Sequence, residues 1–168
     1  MDTPNHTATR SARALLRWQF EHMRRLLDAT AEELMEDSNR HRLPDGIVQA
    51  RVCYARAVLS EDLGIHGVIA IGPPLALSTW SGRTGLSDLP PLMGPIDWHL
   101  WGRRVRLDMK ALHGYAQAVH AVTDSSLAVL CSESLNETHA NQPLHLLSAL
   151  LLTQAMRRGE MACLLANV

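Results

Sequence analysis

Aromatic residues make up only 4% of the 168-residue chain: four Trp, two Tyr and one Phe. A core made from this inventory is filled mainly with Leu, Ala, Val and Met, a mixture that favours helix over sheet. Cysteine is scarce too. Cys53, Cys131 and Cys163 are odd in number and far apart, with neither a disulfide framework nor a zinc spacing. They read as small buried thiols of a reducing cytoplasm. No charge of either sign dominates. Sixteen Lys and Arg stand against 17 Asp and Glu, a formal net charge of -1 that lacks the electrostatic footprint of a nucleic-acid binder. Also missing is any run of about 18 apolar residues, the length of a membrane span. Residues 1–10 have no apolar leader segment. The expectation is a cytoplasmic protein with no membrane and no nucleic-acid partner.

Several catalytic signatures are absent as well. There is no Gly-rich phosphate loop, no argued Ser-His-Asp order and no Cys-His pair. Nine His residues include no pair spaced i, i+4. His113 and His120 share a helical face, but seven residues put them roughly 10 Å apart along the axis. That is too far for both to hold one ion at about 2 Å.

What is present is helical periodicity. A first helix is expected over 11–37, with Leu15, Trp18, Phe20, Met23, Leu26, Leu27, Ala31 and Leu34 facing inward. Arg10, Arg13, Arg17, Glu21, Arg24 and Arg25 read as its solvated side. After the turn cluster Leu43-Pro44-Asp45-Gly46, a second helix is expected from Asp45 or Gly46 to about Ile71, ended by Gly72-Pro73-Pro74. Val48, Val52, Ala55, Leu59, Leu63, Ile65 and Ile69 carry its apolar period. Residues 75–95 form a long Gly/Pro/Ser/Thr-rich connection, and loops of that length are usually either binding loops or disordered. Trp80, Leu86 and Leu89 predict that it packs down onto the domain. A third helix is expected over 98–122, its core face made by Val105, Met109, Leu112, Ala116 and Val119. Thr123-Asp124 marks either a new cap or a bend in a continuous helix. The last helix, after a polar connection over 132–142, reads from an Asn141 cap and Pro143 to the C-terminus. Its Leu residues spread so widely that neighbours are expected on most sides. Gly159, inside the pattern, predicts close approach of another helix. The chain thus reads as a tail over 1–10 and one helical domain over 11–168.

Three segments carry a family resemblance. They are Arg56-Ala57-Val58-Leu59-Ser60-Glu61-Asp62, the run from Gly72-Pro73-Pro74 to Trp80-Ser81-Gly82-Arg83-Thr84-Gly85-Leu86, and Arg157-Arg158-Gly159-Glu160-Met161-Ala162. Leu112 to Asp124 adds a fourth match. Together, in order and spacing, they resemble the DinB-like (DinB/YfiT) superfamily. The resemblance implies an all-α, up-down-down-up four-helix bundle with a long loop between helices two and three, and dimerisation through helix faces is an expectation for such bundles. It also implies a divalent metal held by three His. Those positions are Arg56, Thr153 and Arg157 in this chain. Guanidinium is cationic and offers a metal no lone pair, so no metal and no cofactor are expected.

If Arg56 and Arg157 face inward, each needs a carboxylate; Glu61, Glu160 and Asp108 are candidates. The pair is then either an internal ion-pair cluster or a fork for a substrate carboxylate or phosphate. His113 and His120 are the candidate acid/base residues. Thr153, Glu61, Trp98 and Trp80 complete the candidate binding set, with Trp98 and Trp101 suited to floor a pocket. Three functions follow as expectations. The first is a metal-independent protein that binds and transforms a small anionic metabolite in a central Arg-lined cavity, placed in secondary metabolism. The second is a metal-dependent thiol transferase or hydrolase. The third is a noncatalytic dimeric binding protein or a stress-associated one, its centre closed by salt bridges. Space beside the two Arg separates the first from the third.

Overall fold

The computed structural model describes the backbone of residues 4–36, 43–68, 72–91, 96–132 and 137–167, with side chains over 14–35, 43–67, 72–91, 96–129 and 145–167. Five α-helices account for most of it: α1 (Pro4–Glu36), α2 (Asp45–Val68), α3 (Trp98–Arg104), α4 (Met109–Ser132) and α5 (Glu137–Leu165). The fold is all-α, as composition and periodicity predict. The heaviest packing is α2 against α5, followed by α1 against α4. α1 also touches α5, and α2 touches α4, whereas α1 and α2 meet less. The four long helices therefore surround the core in the order α1, α4, α2, α5, with α3 laid against α2.

Local chemistry explains where the elements begin and end. Arg51 donates from Nη2 to the Leu34 carbonyl at 2.6 Å, satisfying one of the acceptors left over near the C-terminus of α1. The expected third helix is two helices. Asp97 caps α3, its carboxylate accepting from the Leu100 N–H at 2.9 Å. Asp108 caps α4, accepting from the Lys110 and Ala111 N–H groups. Between them the chain is extended enough for Leu107 to form an isolated bridge with Leu86. Asp108 is thus a cap and not the partner of an inward-facing Arg. Beyond it α4 is unbroken through Thr123-Asp124.

Other boundaries differ from expectation. α1 starts at Pro4, inside the stretch that composition reads as a tail. α5 starts at Glu137 and passes through Asn141 and Pro143, so neither marks its start. The expected end of the first helix at 37–40, the apolar position Ile69, the expected end of the second helix at Ile71, and the side chains of Leu144 and Cys131 lie outside the described residues. Two inward assignments on α1 fail: Leu15 and Trp18 are exposed, Trp18 stacking on His22 at 5.5 Å. Arg24, expected in solvent, is buried. On α5, Leu146, Leu152 and Met156 are exposed, so the helix buries one face only. Among the described residues, nothing beyond its own stretch of helix lies within 4 Å of where a Gly159 Cβ would be. The close approach falls on α2 instead, where a Gly64 Cβ would stand 3.2 Å from Leu150.

The long connection packs down. Its 3-10 turn, Leu75–Leu77, is held by Asp62, whose two carboxylate oxygens accept from the Leu75 and Ala76 N–H groups at 2.9 Å. Tyr115 Oη donates to the same carboxylate at 2.7 Å. Gly85, at φ +78°, is pressed so close to α4 that a Cβ would sit 2.5 Å from the Asp108 oxygen. Trp80, Leu86 and Leu89 are packed against the main core.

That core is split by a polar layer. Leu27, Leu34, Leu59, Leu112 and Met161 belong to a large cluster, and Leu16, Phe20, Ile65, Leu127 and Leu147 to a smaller one. Along each long helix the change from one cluster to the other coincides with buried polar residues: Arg24 on α1, Glu61 on α2, His120 and Thr123 on α4, and Gln154 on α5.

Candidate functional site

The sequence-derived site residues separate into three places. The first is the polar layer. Glu61 is almost wholly buried and accepts from Thr123 Oγ1 at 2.7 Å and from Arg24 Nη2 at 3.4 Å. Arg24 also pairs with Asp124. His120 lies 3.8 Å from Glu61 and 3.9 Å from Asp28, each beyond hydrogen-bond reach. Burial pushes the Glu61 carboxyl above its ordinary value, outweighing Arg24 and Thr123. Burial, reinforced by the Arg24 charge, lowers His120 to about 4. His120 is therefore neutral at pH 7, and its Nε2 has no hydrogen-bond partner among the described residues. Arg24 and Asp28, which no sequence pattern singled out, belong to this layer.

The second place is the seat of the long connection. His113 Nδ1 is 3.5 Å from the Tyr54 hydroxyl, and its Nε2 is 3.1 Å from the Gln117 amide. Trp80 packs at a tilt on Tyr115, 5.9 Å between centroids, and the Arg83 guanidinium lies over the Trp80 ring, 5.6 Å from its centroid. Neither His113 nor Trp80 reaches the two Arg of the third place.

That third place is a cleft of about 850 Å³ between α2, α3 and the C-terminal part of α5. Positions 45, 48, 49, 52, 53 and 56 of α2 line it because they repeat at i, i+3, i+4 and so share a face. α3 supplies the opposite wall. It lies close because Gly102 has no side chain: a Cβ there would be 2.8 Å from Val52 Cγ1. Trp98 places its ring under the Arg56 guanidinium, 5.1 Å from carbon to centroid, and is braced edge-on by Trp101. Trp101 is itself fixed by a 3.0 Å bond from its indole N–H to the Asp88 carbonyl. From α5 come Glu160 and Leu164.

Electrostatics at the inner end of the cleft are set by two guanidinium groups and one carboxylate. Arg157 Nη1 donates to Glu160 Oε2 at 2.6 Å. Burial opposes ionisation of Glu160, but bonds from Arg157 and the Cys53 thiol, together with both guanidinium charges, hold its carboxyl below the ordinary value. Burial and the Glu160 charge push the Cys53 thiol up to about 11, so it is protonated at neutral pH and is not a thiolate nucleophile. Arg56 is left over. Its Nε is buried without a hydrogen-bond partner among the described residues, and burial with the nearby Arg157 charge lowers its pKa from the guanidinium value. Of the expected set, then, Arg56, Arg157 and Trp98 converge, and Glu160 is the carboxylate that joins them. Cys53, at a helical position adjacent to Arg56, was legible only as a buried thiol. Thr153 turns back on its own helix, donating to the Ala149 carbonyl at 3.0 Å. The cleft opens on the flank of the bundle and not at its centre.

Among the described residues no three His, Cys, Asp or Glu side chains converge in a way that would hold a metal ion. No helix there is long and apolar enough to cross a membrane. Set beside family models, curated proteins and solved structures, the chain matches none of them significantly.

Proposed function

We propose that this protein is a metal-independent, cytoplasmic binder of a small organic anion, with Arg56 as the anion-binding residue, built on a DinB-like scaffold whose metal ligands have been replaced. One observation carries the reading. A guanidinium stacked on Trp98 lines an 850 Å³ cleft with no carboxylate ion-paired to it among the described residues, while the adjacent carboxylate, Glu160, is occupied by Arg157. A partly buried cation without a counter-ion is costly, and a carboxylate or phosphate in the cleft would remove the cost through charge-assisted hydrogen bonds. The ring beneath fixes the plane of the fork, which favours a planar or multi-oxygen anion. The alternative in which salt bridges close the site requires both Arg to be paired and no space beside them; the unpaired Arg56 and the cleft favour binding. The donor set also supports metal-free operation, since Arg56, Arg157 and Thr153 offer a divalent cation no good ligand.

Calorimetric titration with a panel of small carboxylates and phosphates, on the wild type and on Arg56→Met, tests this. A charged hydrogen bond contributes about 1.5–3 kcal/mol, so Arg56→Met is expected to weaken binding by roughly 10- to 100-fold. Equal affinity for the two proteins, or no binding by any anion of the panel, refutes it.

A further inference from the structure

Anion recognition at Arg56 uses only one end of the cleft, and the remainder has a different chemistry. Eight residues of α2 separate Arg56 from Val48, which at the helical rise is roughly 12 Å. Over that distance Val48 and Val52 from α2, Val105 beyond α3 and Leu164 from α5 give the lining an aliphatic strip, flanked by the polar Gln49 and His99. Val48 is 44% exposed, an uncovered aliphatic residue on the wall of a concavity. α3 runs alongside this strip, Trp98 lying by Arg56 and Gly102 by Val52, so the wall continues in the direction of Val48. At the far end Asp45 and Arg103 bring opposite charges and no net field for a second anion. A bare carboxylate or phosphate would fill only a small part of 850 Å³, a volume suited to a ligand with a sizeable apolar body.

Resting on the binding reading above, we infer that the ligand is an amphipathic monoanion: a carboxylate-type head on Arg56 over Trp98, joined to an unbranched or slender apolar chain lying along Val52 and Val48. The strip accommodates an extended chain of roughly eight to ten carbons, the length of the 12 Å between head and far end. The cleft is open on one side, so each methylene is expected to gain about twofold in affinity, half the free-energy gain of full burial.

The test is calorimetric titration of the full chain with linear alkanoates from acetate to dodecanoate, all below micellar concentrations. Dissociation constants are expected to fall about twofold per methylene and to level off near ten carbons. Decanedioate is expected to gain nothing over decanoate. In Val48→Asp, at an exposed position of the strip, the gain in affinity from longer chains is expected to disappear. A flat series, in which acetate binds as well as decanoate, overturns the inference and leaves the head-group reading standing. A chain-length gain that survives intact in Val48→Asp also overturns it, because the tail then lies elsewhere. If no alkanoate binds, the inference falls, and the short members of the wider anion panel decide whether Arg56 binds anions at all.

Discussion

His120 is buried in the polar layer with its ring short of bonding distance from both neighbouring carboxylates, and it is the group whose ionisation is most informative. Arg24 and Asp28 face it from α1, Glu61 from α2, and Asp124 and His113 act on it from its own helix. Burial comes first, and with Arg24 and His113 it outweighs the attraction of Asp28 and Asp124, so the folded-state value falls from 6.5 to about 4. In the unfolded chain the ring takes up a proton as pH drops through 6.5; in the folded chain it does not do so until about 4. Between those values the unfolded state binds more protons, so stability falls as pH falls. At 1.36 kcal/mol per unit the loss is about 2 kcal/mol by pH 5 and about 3 kcal/mol by pH 4. Urea denaturation of the wild type and of His120→Gln, repeated from pH 7 to pH 4, isolates this contribution. Glu61 acts in the opposite sense, its raised value costing stability as pH increases, but it is present in both proteins and cancels to first order. The wild-type curve is expected to fall more steeply than the variant's by those amounts. Parallel curves, or a His120 ring resonance titrating near 6.5, would refute the reasoning.

Two further perturbations probe packing. Gly159→Ala, with nothing to clash against, is expected to stabilise by up to about 1 kcal/mol in chemical denaturation, whereas Gly64→Ala, pushed against Leu150, is expected to destabilise. Tyr115→Phe removes a donor from the buried Asp62 carboxylate and is expected to cost about 1–3 kcal/mol, with faster proteolysis of the 72–91 connection that Asp62 holds.

The helical class was legible because apolar spacing is a property of the chain alone. Met109, Leu112, Ala116 and Val119 all face the core where the period puts them. The seat of the loop was legible too, since Trp80, Leu86 and Leu89 have few ways to avoid water other than packing down. The break between α3 and α4 was harder to see. The apolar period runs on through it, and the stop depends on one carboxylate, Asp108, turning back onto two N–H groups. Arg24 shows the opposite failure. It follows a run of exposed charges on α1, and only the arrival of Glu61 and Asp124 from other helices makes its burial tolerable.

By itself the sequence determined that this chain is all helix, that Arg stands at positions 56 and 157, and that Trp98 begins a helix. Those are local matters of side-chain type and period. Only the tertiary structure decided which charges pair. Arg157 took Glu160 because they lie three apart on α5, and Arg56 was left facing open space because α3, allowed close by Gly102, brought an aromatic ring where a carboxylate was needed. Pairing and cavities depend on distances between helices, and no spacing along one helix contains them.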